Sequence, residues 1–302
     1  MFFTIAIPTF NRKEILEISL EKIFDSIKNI EDKIEVLVVD DCSKDETKSL
    51  LEKYKKNYPT IFNYIISEKN NGISKTRNIL VKNAKGSHLI FIDSDVFVTP
   101  KTIETHIKMH KENKNIIVQG NLKFISNLDE LNEIKKNLFT DYSNSFFDTA
   151  NLSIEKSKII EAGFFDENFT GYGWEDLELG IRIRKLNLKL KKNKNTLAYH
   201  YHPEKIIDLD FLIEKEKQRA IGSIYFLKKH PSFEVKMITQ NHYLHYFLDY
   251  LLTCFFNLES KDFVIKLNNT NSKTSKKFTF ILRVYLNHLL IKEIRHLNES
   301  NS

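Results

Sequence analysis

The chain has 302 residues, with 46 Lys and Arg against 40 Asp and Glu for a net charge of +6, and 41% of its residues are hydrophobic. That length holds one large domain or two modest ones with ample core. Its lysines are scattered among acids instead of forming a basic stripe with interleaved aromatics, which excludes nucleic acid as the expected partner and leaves an anionic substrate or membrane surface compatible.

Cys42 and Cys254 are too few and too far apart for a disulfide framework or a zinc site, so each is expected as a free buried thiol in a reducing compartment. No stretch approaches the roughly 20 apolar residues of a membrane-spanning helix. Met1-Phe2-Phe3 leads straight into a strand without a signal-peptide pattern, so the expected location is the cytoplasm.

In chain order, Phe3 to Pro8 reads as a buried strand, and Asn11 with Glu14 has capping-box spacing for a helix with Leu16, Leu20, Ile23, Phe24 and Ile27 on one face. Ile34 to Asp40 is a second strand, Ser43 with Glu46 is placed to cap the next helix, and Phe62 to Ser67 is a third strand. A helix over Ile73 to Ala84 and a strand ending at Asp93 follow. Strands apolar on both faces, each followed by a helix, predict an α/β fold with a mostly parallel sheet flanked by helices. Ligands of such a sheet bind beyond the carboxyl ends of its strands, where Thr9 to Arg12, Asp40 to Ser43 and Asp93 to Asp95 fall.

Asp93-Ser94-Asp95 closes the apolar run from His88. Residues i and i+2 of an extended strand share a side, so both carboxylates can face one divalent cation carrying a diphosphate. The alternative is an Asp-rich turn.

Five segments in order carry a resemblance. Ile7-Pro-Thr-Phe-Asn-Arg12, Val38 to Asp45, Asn71-Gly-Ile-Ser-Lys-Thr-Arg-Asn78, Phe91-Ile-Asp-Ser-Asp95 and Ala162 to Asp176 together resemble the family 2 glycosyltransferases of the GT-A fold, the last segment being similar to the acceptor motif of galactosyltransferase-type C-terminal regions. The resemblance spans about residues 3 to 202. It implies a catalytic domain over 1–204, with 1–122 as the nucleotide-sugar half and 123–204 as the acceptor half, followed by a helical C-terminal region over 205–302.

The resemblance also implies roles. Asp40 sits where similar enzymes hydrogen-bond the nucleotide base, a task suited to a carboxylate accepting an imide N–H, with uridine the best fit; the competing reading is a helix cap. Arg12 and Arg77 fall at basic positions of the family and are forks suited to a diphosphate. Pro8, Thr9 and Ser94 line the nucleotide-sugar loops. Asp95 is the expected direct ligand of Mn2+ or Mg2+, with Asp93 on ribose or a metal-bound water. A third ligand usually comes late in the chain, and the choice between His200 and His202 stays open. Asp176 matches the general base of an inverting transfer, and Glu175 would orient the acceptor. Tyr172, Gly173 and Trp174 belong to the acceptor loop, where Tyr172 matches a substrate-covering aromatic and Trp174 offers a ring face or is core; Asn151 helps form the acceptor wall.

Beyond Pro203 the composition turns helical, with periodic apolar positions over Phe211 to Lys229 and an aromatic stretch over His242 to Phe256. The latter is expected as a buried helix, with interfacial membrane docking or homo-oligomer contact as the alternatives. Asn268 to Lys277 reads as a polar loop, and the residues after Arg295 as a frayed end. The expected function is transfer of a hexose-type sugar from a nucleotide donor to a hydroxyl of a glycan, glycolipid or protein acceptor, in surface-polysaccharide or glycoconjugate assembly. Alternatives are a nucleotide-sugar-binding scaffold without turnover and a sugar-phosphate nucleotidyltransferase, which would need a glycine-rich basic loop that Pro8 to Arg12 does not supply; a retaining transfer is a further variant.

Overall fold

Strands that are apolar at nearly every position must be covered on both sides. The computed structural model, which describes residues 1–131, 146–203, 209–259 and 276–300, meets that demand in a first compact unit of Met1–Asn168 with Glu175–Glu204. Its strands are β1 (Phe2–Thr9), β2 (Lys33–Asp40), β3 (Phe62–Ile66), β4 (His88–Ile92), β5 (Val96–Val98), β6 (Ile116–Ile125), β7 (Asn151–Glu155) and β8 (Lys189–Tyr201). Its helices are α1 (Lys13–Ile27), α2 (Thr47–Asn57), α3 (Ile73–Asn83), α4 (Thr102–Glu112), α5 (Lys156–Glu161) and α6 (Glu175–Arg184).

The strands form one sheet in the order β3-β2-β1-β4-β7-β6-β8-β5. Alternate residues feed two cores: Phe3, Ile5, Val36, Val38 and Ile90 pack with Leu16, Leu20, Leu51 and Ile103 of α1, α2 and α4. Ala6, Leu37, Val39, Leu89 and Phe91 pack with Leu80, Val81, Ile159 and Ile183 of α3, α5 and α6. The half up to β4 is parallel throughout, whereas β7 runs antiparallel to both β4 and β6, and β5 antiparallel to β8. Thr9 and Asp40 stand side by side in register, so the loops after β1 and β2 open at the same edge.

That adjacency overturns both expected caps. Arg12 and Glu46 occupy the N-cap positions of α1 and α2, and neither side chain caps. Asn11, in the left-handed region at φ 50°, instead accepts from the Lys44 N–H, and its own N–H donates to Ser43 Oγ, both at 2.7 Å. Asp45 serves both helices, accepting from the first amides of α1 at 3.0 Å and of α2 at 3.1 Å. The parallel register brings the two loops within side-chain reach, and cross-linking them competes successfully with local capping.

The second compact unit comprises Phe169–Trp174 and Lys205–Ser302, with helices α7 (Leu209–Lys229), α8 (Phe233–Ile238), α9 (Tyr243–Phe256) and α10 (Lys276–Ser300). Leu209, Leu282 and Tyr285 form one contact cluster of α7 with α10, and Ala220, Leu290 and Ile294 another. The polar stretch expected over 268–277 lies outside the described residues up to 275, and Lys276 already begins α10, which continues past Arg295 to Ser300 without the expected fraying. Against expectation, α9 is not a buried helix: only Asp249 is buried along it. Cys254 on that helix is exposed and Cys42 half-buried, so neither thiol is the buried one expected. No helix among the described residues is long and apolar enough to cross a membrane.

Candidate active site

The Asp93-Ser94-Asp95 triplet is a tight turn between β4 and β5, closed by Val96 N–H donating to the Asp93 carbonyl at 3.0 Å. The expected extended geometry is absent because β5 leaves β4 to pair with β8. The two carboxylates consequently divide. Asp93 Oδ1 accepts from Arg77 at 3.3 Å, whereas Asp95 Oδ2 pairs with the Arg12 guanidinium and Asp95 Oδ1 lies 3.3 Å from His200 Nε2. Burial opposes ionisation of Asp95, but His200 and Arg12 outweigh it and bring its carboxyl down to about 2. For Asp93 burial prevails over Arg77 and the carboxyl is pushed up.

Arg77 is the hub of the site. Buried on α3, it donates to Glu175 Oε1 at 2.8 Å and Asp176 Oδ1 at 3.1 Å as well as to Asp93, tying the turn after β4 to the start of α6. Its three carboxylate partners raise its affinity for the proton despite burial. Asn71 and Gly72 anchor the entry to α3, their N–H groups each donating to Asp41 at 2.9 Å. Gly72 has φ 80° there, a conformation open to glycine at little cost.

Asp176 is held on both oxygens, since Oδ2 accepts from the Thr149 N–H at 3.0 Å and from Thr149 Oγ1 at 2.7 Å. Glu175 is buried deeper, and burial, with the charge of Asp176 adding to it, raises its carboxyl to about 7 against the opposing pull of Arg77. The folded state therefore holds that proton more tightly than the unfolded chain, whose carboxyl titrates near 4.5, and stability contributed here is lost as pH rises from 4.5 to about 7. Glu175→Gln is expected to flatten this part of the stability profile, read from urea midpoints on either side of that window.

Asp40 is buried at the tip of β2, where burial raises its carboxyl and Ser43 opposes the shift; both hydrogen bonds from Ser43 fall on Oδ1. Thr9 ends β1 behind Pro8 with Oγ1 buried, and Ser94 is buried within the β4–β5 turn. Of the two candidate histidines, His200 is beside Asp95, and the His202 ring lies tilted against that of His200 at a centroid separation of 4.3 Å.

Asn151 does not face a ligand. It is fully buried, its amide donating to the carbonyls of Asn121 at 3.2 Å and Thr196 at 2.8 Å, with Oδ1 3.0 Å from His106 Nε2. It fills the irregularity between Gln119 and Asn121 of β6, where a Cβ on Gly120 would come within 2.2 Å of its side chain. In the second unit Trp174 is core: its indole N–H donates to the Arg219 carbonyl at 2.7 Å and its ring packs on Gly222. Tyr172 keeps an exposed ring, edge-on to Phe211, and Gly173, between Tyr172 and Trp174 in the chain, takes φ 80°.

Two participants were not singled out in the sequence. Thr149 holds Asp176, and Asp148, its carboxyl raised first by burial and then by Asp176, joins the same electrostatic cluster. The signal was a polar pair, Asp148-Thr149, one residue short of the start of β7.

Four carboxyl groups here (Asp93, Asp95, Glu175 and Asp176) pair with the two arginines, and Asp148 adjoins them through its interactions with Asp176 and Asp93. Thr9 Oγ1, Arg77 Nε, Glu175 Oε2 and His200 Nδ1 are buried without a hydrogen-bond partner. Orphans gathered at one place mark a site that a ligand completes. No group of three His, Cys, Asp or Glu among the described residues encloses a metal position. The donor set still fits an ion shared with a diphosphate, which needs only one or two protein ligands and takes the rest from phosphate and water. A cleft of about 980 Å³ at the opposite end of the strands, lined by Phe24, Tyr54, Tyr58 and Lys33, includes none of these residues.

Residues 4–165, more than half of the chain, match the family described as Glycosyl transferase family 2. The chain belongs to this family. Among its curated relatives is the uncharacterized glycosyltransferase YfnE of Bacillus subtilis, 27% identical over 60% of this chain and 60% of its own length. This family 2 chain thus spans less than two thirds of that relative's length. Its fold is that of the GT-A glycosyltransferases. The mannosyltransferase PcManGT from Pyrobaculum calidifontis, solved with GDP-Man and Mn2+, superposes with a TM-score of 0.66 at 16% identity over 97% of this chain and 86% of that one. Residues 1–349 of S. aureus TarS, solved with UDP-GlcNAc, superpose with a TM-score of 0.58 at 18% identity over 100% of this chain and 91% of that one. The family 2 match ends at residue 165, within the stretch over Ala162 to Asp176, and does not bear on the galactosyltransferase-type resemblance expected there.

Proposed function

We propose that the protein is a metal-dependent, inverting glycosyltransferase that moves a sugar from a UDP-sugar to a hydroxyl of a glycan or glycoconjugate acceptor during surface-polysaccharide synthesis. The observation that carries this reading is the convergence of Arg12, Arg77, Asp93, Asp95, Glu175, Asp176 and His200 at the carboxyl edge of the sheet. Relatives support the pathway: TarS of Staphylococcus aureus, named a poly(ribitol-phosphate) β-N-acetylglucosaminyltransferase, is 33% identical over 34% of this chain, and chondroitin synthase of Escherichia coli is 26% identical over 72%.

In this reading residues 1–204 are the catalytic domain, with the donor in the 1–122 half and the acceptor wall in 123–204. Asp40 accepts from the uracil imide, and Pro8, Thr9 and Ser94 shape the nucleotide loops. Asp95 and His200 would hold Mn2+ or Mg2+, with Asp93 on ribose or a bound water. When bound, the ion offsets the charge that develops on the departing diphosphate. Arg12, which pairs with Asp95, would hold the diphosphate through its guanidinium fork. Asp176 takes the proton of the acceptor hydroxyl as that oxygen attacks the anomeric carbon opposite the diphosphate, which inverts the centre. Arg77 and Thr149 hold Asp176 in place, and Glu175, buried against Arg77, positions that arginine.

A thermal-shift panel of nucleotide sugars with and without Mn2+ tests the donor. Metal-dependent stabilisation by a UDP-sugar is expected, since a ligand of the folded state raises the melting temperature. Stabilisation by guanosine sugars alone would replace uridine, and no response to any nucleotide would discard the reading.

A further inference from the structure

We propose that the outward face of α9 is a homodimer contact, docking on the same face of a second copy of this chain. The helix is packed with its polarity reversed. Its one charged residue, Asp249, points inward and is 6% exposed, with its carboxylate oxygens 3.1 and 3.2 Å from Nδ1 of the buried His288 on α10. Thr253 Oγ1 lies 3.2 Å from the same nitrogen. This polar pin fixes the rotation of α9 about its axis and leaves its apolar side facing out. Tyr243, Phe247, Tyr250 and Phe255 are 57–80% exposed, and Leu244, Leu248 and Leu251 are 43–48% exposed.

Spacing, charge and area favour a second copy as the occupant. Leu244, Leu248, Leu251 and Phe255 follow the four-three-four spacing of a helix-pairing seam. Residues 243–256 contain no Lys, Arg or Glu, so two copies meet without like-charge repulsion. An anionic lipid surface would be matched by cations on the helix, and α9 carries none. Four largely exposed aromatics and three leucines present on the order of 800 Å² per copy, about what each partner buries in a stable interface. A contiguous patch of that size exceeds the largest one typical of a monomer, roughly 300–600 Å². A two-fold axis pairs one patch with its equal, so the contact is closed and needs no other partner.

Sedimentation equilibrium of the full chain at micromolar concentration tests this. Twice the monomer mass is expected for the wild type. Leu248→Glu and Leu251→Glu, each placing an unpaired charge in the seam, are expected to weaken association at least about a hundredfold while leaving the circular dichroism and melting temperature unchanged. A monomeric wild type overturns the proposal, as does a dimer that persists in both variants. Flotation with phosphatidylglycerol vesicles supplies the remaining arm: a monomeric wild type that floats with vesicles, and loses this in Leu251→Glu, assigns the face to lipid instead.

Discussion

Asp176→Asn lowers sugar transfer by at least about a hundredfold, the scale of a lost general base, while nucleotide-sugar affinity stays close to that of the wild type. The expectation follows from where Asp176 is held. Thr149 occupies Oδ2 and Arg77 occupies Oδ1, so the carboxylate is oriented by protein donors on both oxygens. An amide keeps the shape and one acceptor oxygen, but turns N–H groups toward one of those two donors and has no basic lone pair for an acceptor proton. Initial rates with a UDP-sugar and calorimetric titration of the donor separate the two effects. Equal loss in both would move Asp176 from proton transfer to donor binding.

Arg77→Met costs about 3 kcal/mol of stability, because it leaves the buried Glu175 and the half-buried Asp93 and Asp176 without their shared cation. Its effect on transfer is expected to exceed tenfold. Arg77→Lys separates charge from geometry, since an ammonium keeps the charge but lacks the planar fork that reaches the turn after β4 and the start of α6 together. The lysine variant is expected to recover much of the stability, read from urea midpoints, and little of the transfer rate. Recovery of both would mean that charge alone is required.

Much of the fold was legible in the sequence because the strand–helix repeats up to β4 are local and periodic. The apolar runs at Phe3 to Ile7 and Val36 to Val39 state their two-sided burial directly. Side-chain choices between neighbouring loops were not legible. Asn11 and Ser43 have the spacing of caps, but the parallel register of β1 and β2 gives each a better partner across the gap. Arg77 could be picked out as a charged fork, yet its three carboxylate partners lie 16, 98 and 99 residues away in the chain. The same long-range dependence explains Asn151 and Trp174: residue type suggested sugar contacts, and tertiary packing uses their polar groups internally. For α9, composition read as burial, because an aromatic helix with one acid looks like core until the partner of Asp249 is known.

The most direct measurement is calorimetric titration of UDP into the protein with and without Mn2+, repeated on Asp95→Ala. Wild-type binding that requires Mn2+ and falls at least about tenfold in the variant is expected if Asp95 and His200 share an ion with the diphosphate. UDP binding that is indifferent both to the metal and to the loss of Asp95 would contradict the account.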